Sequence, residues 1–270
     1  MSTYNGERFL AEQLESILAQ TITEWQLFIR DDGSTDKTVD IVEQYAKKDK
    51  RISIIKDKEN IGALRSFECL LQQSDEADYY TFADQDDVWQ PDKLEICLEV
   101  VLQAEKEYPD KPIVVHTDLQ VVDEDLTEIA PSFWKYSHIR PDLQDNNIRY
   151  LAISNSVTGC AMMFNKRARA CCLPIPSKAH MHDAWVALMT AVHGGKVIPV
   201  RRTTLAYRQH GENTLGAVKF SIWQGFAQRR RVSMRNYRMS HPDVYTSQAE
   251  FYSWKLIYLL HRALYSLLHS

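Results

Sequence analysis

Between Glu7 and Gln20 the apolar residues Leu10, Leu14, Ile17 and Leu18 recur three or four apart in a polar stretch, the period of an amphipathic helix. The pattern then switches. Trp25 to Arg30 is a strand-like run that empties into Asp31-Asp32-Gly33-Ser34-Thr35-Asp36, a turn feeding a helix to about Lys48 with Ser34 or Thr35 as its expected cap. The alternation repeats with a strand from Ile52 to Lys56, the turn Asn60-Ile61-Gly62 and a helix from Ala63 to Gln73 that carries Arg65 in its first turn. A strand from Tyr79 to Ala83, a helix from Pro91 to about Glu107 and a strand from Ile113 to Val122 follow. Strands alternating with helices predict an α/β fold, a mainly parallel sheet with helices on both faces. Pro131 to Asn147 has no clean period and reads as a long functional loop. Beyond it, Gly159 to Phe164, Lys196 to Val200 and Thr204 to Arg208 read as strands, and Met181 to about Gly194 leads into and through a helix. The last long helical run extends from about Gln248 to His269, where Lys255, Arg262, Ser266 and His269 form one polar stripe with Trp254, Leu256, Ile257, Leu260, Leu264, Leu267 and Leu268 around the rest.

Four polar clusters fall at strand ends: Thr3-Tyr4-Asn5-Gly6, Asp31-Asp32, Asp84-Gln85-Asp86-Asp87 and Gln209-His210. In a parallel sheet such ends share one rim, where open α/β sheets bind ligands. Three carboxylates in four residues call for a cation, and a turn there would converge Asp84 and Asp86 on a hard divalent metal. The alternative is an acidic helix start, with Asp86 or Asp87 capping. An EF-hand is excluded, because the sixth residue from Asp84 is Trp89 where that loop needs glycine. Asp31 and Asp32 could accept bonds from a base or a ribose, or Asp31 could close an Asx turn with Ser34.

Composition adds limits. With 270 residues, 44% hydrophobic and 25% charged, the chain is an ordinary globular protein large enough for one α/β domain and an appendage. The five cysteines form no C-x-x-C pair and read as reduced core residues, which favours a cytoplasmic setting. No secretory signal and no run of about 18 apolar residues is found. The net charge of −4 divides into +6 from Lys219 onward and −10 before it, which argues against nucleic acid as a partner of the main domain. The basic tail instead suits a local anionic partner. Its helix is expected to rest on an anionic inner membrane face, on the protein's own core or on a second copy in a homodimer.

The ordered set Thr3-Tyr4-Asn5-Gly6, Gln20, Arg30-Asp31-Asp32-Gly33-Ser34-Thr35-Asp36, Asn60-Ile61-Gly62, Ala83-Asp84-Gln85-Asp86-Asp87-Val88-Trp89, His182-Asp183-Ala184-Trp185 and Tyr207-Arg208-Gln209-His210-Gly211 resembles the family 2 glycosyltransferases of GT-A fold. The D-Q-D-D-V-W form is most similar to the bacterial rhamnosyltransferase-like branch that builds surface polysaccharides. The resemblance covers about residues 1–216, with a nucleotide half at 1–122 and an acceptor half at 123–216, and leaves 217–270 as a helical tail. It implies a Rossmann-like sheet whose first strand, normally an apolar run before Thr3, is missing here. It further implies metal-dependent, inverting, single-sugar transfer from a nucleotide sugar, dTDP-rhamnose being that branch's candidate, to a saccharide or lipid-linked acceptor. Thr3, Tyr4, Asn5, Asp31 and Asp32 would hold the nucleoside, with Asn60, Gly62 and Arg65 nearby and Asp84 facing ribose. Asp86 and His210 would hold Mn²⁺ or Mg²⁺, with Asp84 and Asp87 as further candidates, and Asp183 would be the general base rather than only a helix cap. A sugar nucleotidyltransferase or a non-catalytic carbohydrate- or metal-binding module are the rival readings.

Overall fold

The computed structural model describes residues 1–55, 59–74, 76–145, 147–211 and 226–268. In chain order the first half comprises β1 (Ser2–Thr3), α1 (Leu10–Leu18), β2 (Leu27–Asp31), α2 (Thr38–Lys48), β3 (Ile52–Ile55), α3 (Gly62–Gln73), β4 (Tyr79–Thr81), β5 (Val88–Trp89), α4 (Lys93–Glu107) and β6 (Ile113–Val122). The second half comprises β7 (Glu128–Ala130), α5 (Phe133–Tyr136), α6 (Pro141–Gln144), α7 (Ile148–Ile153), β8 (Met162–Asn165), α8 (Lys166–Cys172), α9 (His182–Val192), β9 (Lys196–Arg208), α10 (Phe226–Ser240) and α11 (Gln248–Leu268).

Two sheets result. One is parallel, in the order β1-β2-β3, with Thr3 in register with Asp31. The other runs β4-β8-β6-β9-β5, with β7 added to β6. Because β8 is antiparallel to both β4 and β6, and β9 is parallel to β6, the strands β4, β6 and β9 point the same way. Their carboxyl ends therefore share a rim, although the sheet as a whole is mixed. Ser2 and Thr3 pair with β2 at the edge of the smaller sheet, extended by backbone bonds of Met1 to Phe28 and Arg30, and among the described residues the two sheets are not joined by ladder bonds.

The pleat of β6 explains how the core divides. Val114 belongs to an apolar cluster with Phe67, Phe82, Phe164, Trp185, Tyr245, Phe251 and Tyr258, whereas Ile113 and Val115 face Leu10, Leu14, Ile29, Cys97 and Val101. Side chains alternate across a strand, so a run apolar at every position is one buried on both sides. Each such large side chain contributes roughly 1.5–3 kcal/mol by leaving water.

Several elements differ from the sequence reading. Helix α2 begins at Thr38 with Lys37 at its N-cap position and no side-chain cap, so neither Ser34 nor Thr35 caps it. Ser34 is used instead by Asp31 and Asn5. The two strands expected between Lys196 and Arg208 are one strand with an irregularity: pairing to β6 passes from Thr117–Val200 to Asp118–Thr203, so Arg201 and Arg202 bulge out of the ladder, exposed and paired with Asp142 and Asp92. The irregular stretch after Pro131 contains α5 and α6, and it is anchored from within by Asp118, which accepts from Ser132 Oγ at 2.5 Å and Trp134 N at 3.0 Å. All five cysteines are free thiols.

The tail helix α11 packs on the protein's own core through Phe251 and Tyr258, and Tyr150 Oη lies 2.6 Å from His261 Nδ1. Its polar stripe is turned inward where it is described: Lys255 donates to Ser233 Oγ and Arg262 to the carbonyl of His138 at 2.8 Å. Leu256, Leu260 and Leu264 are 56–61% exposed on the outside. The side chain of Ser266 and all of His269 lie outside the described residues, as do residues 212–225. Among the described residues no helix is long and apolar enough to cross a membrane.

Candidate active site

Helix α1 sets the rim. Gln13 and Ser16, three apart on one face of α1, and Gln20, two residues past its end, are all buried. Gln13 Nε2 donates to the Asp84 carbonyl at 3.0 Å, Ser16 Oγ accepts from Trp89 N at 3.0 Å, and Gln20 Nε2 donates to the Gln90 carbonyl at 2.8 Å while its Oε1 accepts from Leu94 N. Three polar side chains thus satisfy the backbone of the acidic loop 84–90, which otherwise would bury unpaired groups at about 1–3 kcal/mol each. Neither Asp86 nor Asp87 caps a helix, since the strand β5 follows them and α4 starts five residues later.

The acidic loop converges with distant segments. His210 Nε2 lies 2.7 Å from Asp86 Oδ2, bringing together residues 124 apart in sequence. Asp84, Asp87 and Cys160 each bring a donor atom within 4.8 Å of the other two, the one grouping of this kind among the described residues. Burial, then repulsion from Asp86 and Asp183, pushes Asp84 up to about 7. Burial, then Asp86 and Asp84, holds Asp87 well above the usual carboxylate range. Asp87 Oδ1 accepts weakly from Arg208 N at 3.3 Å, and its buried Oδ2 has no partner among the described residues. Carboxylates so crowded and so poorly compensated fit a hard divalent cation, with Asp86 and the His210 imidazole, already 2.7 Å apart, as candidate donors. Cys160, whose thiol burial and the two acids keep protonated, does not belong to such a donor set.

Two residues that the sequence reading left without a role, Arg208 and Lys93, complete this centre. Arg208, almost fully buried, donates to the Asp86 carbonyl at 2.8 Å and pairs with Glu12, and its guanidinium lies 4.6 Å from the Phe9 ring centroid. Lys93 is wholly buried, with its Nζ 3.7 Å from the Trp89 ring centroid and its proton affinity lowered by burial. Arg208 stands inside the quoted Tyr207 to Gly211 motif, so its position was visible; Lys93 looked like one more solvated helix lysine.

Asp183 sits at the second position of α9, behind Met181 at the N-cap, so it is not itself the cap residue. Its Oδ1 accepts from Ala184 N at 2.6 Å and its Oδ2 from Gly159 N at 3.1 Å. Burial nevertheless raises it to about 6. Gly159 is required there, because a Cβ at that position would meet His182 Nε2 at 2.8 Å. The His182 ring is wedged against Phe67 at 4.0 Å and Phe82 at 4.5 Å between centroids, and burial pushes it down to about 3.

The remaining predicted residues form a second, differently bonded region. Asp31 Oδ1 accepts from Thr3 Oγ1 at 3.0 Å and Ser34 Oγ at 2.6 Å, and its Oδ2 from Gly33 N and Ser34 N at 3.1 and 2.8 Å. The Asx turn is therefore present, and the carboxylate's four acceptor sites are filled. Asp32 pairs with Arg30 at 2.5 Å and accepts from Ile61 N and Gly62 N at 2.9 Å each, which fixes the Asn60-Ile61-Gly62 turn with Gly62 at φ +78. Asn5, at φ +45, accepts from Thr35 N at 2.9 Å. Gln85 spans the regions by two bonds to the Tyr4 backbone, at 2.8 and 2.9 Å, while the Tyr4 side chain stays 49% exposed. Asn60 is exposed, and Arg65 is engaged by Glu68 and the Ile175 carbonyl.

Comparison with known proteins identifies the family and the fold. The family model "Glycosyl transferase family 2" matches residues 1–169. The chain is 28% identical over 189 residues to the putative teichuronic acid biosynthesis glycosyltransferase TuaG of Bacillus subtilis, covering 69% of each chain. It is 38% identical over 106 residues to the dTDP-rhamnosyl transferase RfbG of Shigella flexneri, but that match spans only 38% of this chain and 37% of RfbG. Among solved structures, the mannosyltransferase PcManGT of Pyrobaculum calidifontis in complex with GDP-Man and Mn²⁺ superimposes with a TM-score of 0.60 at 15% identity, over all of this chain and 74% of that one. Residues 1–349 of Staphylococcus aureus TarS with UDP-GlcNAc give 0.59 at 17% identity, over 87% of this chain and 64% of that one. These two likenesses establish the fold, and the family match covers well over half of the sequence; the chain belongs to glycosyl transferase family 2 and is a glycosyltransferase of GT-A fold.

Proposed function

We propose that the chain transfers one sugar at a time, with inversion, from a nucleoside diphosphate sugar to a saccharide acceptor of a bacterial surface polysaccharide. The observation that carries this is the meeting of Asp86 and His210 at 2.7 Å beside two acids whose protons are held too tightly for isolated carboxylates. A divalent cation bound there supplies charge neutralisation for the departing nucleoside diphosphate. The chain's own groups do the rest. Tyr4 offers an exposed ring for the base, and Asn60 and Arg65 border the nucleoside. Asp32, with acceptor capacity left after three bonds, takes a nucleoside hydroxyl or N–H. Thr3, Asn5, Asp31 and Gly62 act by fixing the loops that carry those contacts. Asp84 faces the ribose.

Asp183 takes the proton of the acceptor hydroxyl as that oxygen attacks the anomeric carbon from the side opposite the leaving group. A carboxylate raised to about 6 is ionised at neutral pH yet basic enough to gain a proton in the transition state. The rhamnosyl donor is favoured by the likeness to RfbG, and a surface polysaccharide acceptor by the likeness to TuaG. The exposed leucine face of α11 suits contact with an anionic membrane surface, where lipid-linked acceptors reside. Equal flotation with anionic liposomes of the full chain and of a Leu256→Ser/Leu260→Ser/Leu264→Ser variant would remove that contact.

The test is a panel of nucleotide sugars with Mn²⁺, with and without chelator, followed by nucleoside diphosphate release. Chelator-sensitive release with one donor, dTDP-rhamnose foremost, is expected. Pyrophosphate release would indicate a nucleotidyltransferase, and binding without turnover a carbohydrate- or metal-binding module.

A further inference from the structure

A cavity of about 620 Å³ opens between loop 177–180 and helix α10, outside the centre described above. Its walls carry Lys178, His180, Arg235, Tyr237, Arg238 and His241, and among the described residues no carboxylate lines it. Arg235 and Arg238 are three apart on α10 and so share a face. Both are exposed, and neither has an ion pair or hydrogen bond among the described residues. Lys178 donates to Asp243 at 2.6 Å and to the His241 carbonyl at 2.8 Å, which holds it in the wall. The Nδ1 atom of His180 is buried without a partner, and burial, with Arg235 adding repulsion, pushes the ring down to about 4, so it is neutral and able to donate one N–H.

Two unpaired guanidinium groups converging on a concave wall focus positive potential, and their forked donors match the oxygens of a phosphate. Position decides what brings the anion. His180 is three residues from Asp183, so their Cα atoms are at most about 10 Å apart. The donor's diphosphate has its counter-site at Asp86 and His210. A cationic pocket adjoining the base is left for charge on the other substrate. We infer that this pocket binds a phosphate or diphosphate group carried by the acceptor, and so selects phosphorylated acceptors over neutral ones. The assignment to the acceptor rests on the transferase reading above; the anion site itself does not.

The test uses the full chain in chelator, so that no cation draws anions to Asp86. Trp185, buried with Lys178 Nζ 5.4 Å from its ring centroid, is a built-in reporter. Inorganic phosphate and pyrophosphate are titrated by tryptophan fluorescence and calorimetry against the parent and Arg235→Gln/Arg238→Gln, whose melting temperature should match the parent because both sites are exposed. Saturable pyrophosphate binding, weakened at least tenfold in the variant, is expected. No saturable binding in the parent, or equal affinity in the variant, overturns the site. A soluble sugar phosphate and a polyprenyl phosphate in neutral detergent micelles then compete for bound pyrophosphate. Displacement by either supports the inference and identifies whether the phosphate arrives on a saccharide or a lipid; displacement by neither overturns the acceptor assignment. Manganese-dependent donor hydrolysis is followed in parallel. Intact hydrolysis without phosphate binding rejects this inference alone, whereas phosphate binding without any donor turnover leaves an anion site and rejects the transferase reading.

Discussion

Two sets of carboxylates, one at the end of β2 and one in the acidic loop and α9, are treated in opposite ways. Asp31 and Asp32 accept seven bonds between them, from Thr3, Gly33, Ser34, Arg30, Ile61 and Gly62. Asp84, Asp87 and Asp183 are crowded or buried with little compensation, and all three hold protons above the usual carboxylate range. A carboxylate filled or nearly filled by the protein's own donors is a staple: Asp31 is spent on loop geometry, and Asp32 keeps one acceptor site for a ligand that meets a surface already shaped. An undercompensated one stores electrostatic strain that a cation or a proton relieves. The contrast separates residues that organise the donor site from residues that are held ready for chemistry, which residue type alone cannot do.

The contrast breaks if the two sets respond alike to mutation. The largest expected effect is on stability at Asp32. Asp32→Ala leaves the wholly buried Arg30 without its carboxylate and deprives Ile61 N and Gly62 N of an acceptor. Losing one partner of a buried pair costs about 3–5 kcal/mol, so the midpoint of urea unfolding should fall steeply. A shift of under about 1 kcal/mol would mean that the staple is ornamental.

At Asp183 the large effect should be on rate instead. Asp183→Asn keeps the shape of the side chain but cannot take a proton, so acceptor glycosylation should fall about 10²- to 10⁴-fold with donor affinity unchanged. In the parent, transfer should decline about tenfold per pH unit below about 6 as the buried carboxylate protonates. Turnover within a few fold of the parent would return Asp183 to a purely structural role in the first turn of α9.

Asp86→Ala probes the cation. It removes an accessible donor and the partner of His210, so Mn²⁺-dependent nucleotide affinity should drop at least about a hundredfold, beyond the 10–100-fold typical of outer-sphere losses. Unlike Asp32→Ala, it should not destabilise the apo protein, since it relieves repulsion on Asp84 and Asp87. Unchanged metal-dependent binding by calorimetry, or a stability loss as large as that of Asp32→Ala, would erase the distinction.

Much of this is legible in the sequence. The alternation of periods predicted α1 to α4 and the strands β2, β3, β4 and β6, because these follow from local spacing, but it missed the two-residue strands β1 and β5, which are too short to show a period. What was not legible depends on partners remote in sequence. The antiparallel insertion of β8 between β4 and β6 depends on how loop 123–161 returns, and no local signal encodes direction. Ser34 looks like a helix cap until Asp31 and Asn5 are folded against it. The inward turn of Lys255 and Arg262 in α11 inverts the usual rule for a surface helix, because Ser233 and the His138 carbonyl lie beneath them. Lys93 and Arg208 gained roles only when burial placed them against the acids.

The smallest effect sharpens the comparison most, because it should change sign with pH. Asp183 is raised from 3.8 to about 6 in the fold, so the folded state holds its proton more tightly than the unfolded chain does. Stability therefore declines as pH rises from about 4 through about 6, and the full penalty is present above that window. A shift of that size corresponds to at most about 3 kcal/mol, less for a group with partial access to water. Asn carries no charge and escapes the penalty, but its single acceptor oxygen leaves either Gly159 N or Ala184 N one bond short, worth about 1 kcal/mol. At pH 8 relief of the buried charge should win, making Asp183→Asn more stable than the parent by about 1 kcal/mol. At pH 4 the parent carboxyl is already neutral, and only the lost bond remains, so the variant should be less stable by a similar amount. Urea unfolding of both proteins at pH 4, 6 and 8 measures this crossing. A difference that is constant across the three pH values would mean that Asp183 is as well compensated as Asp31, and that the two sets of carboxylates are one.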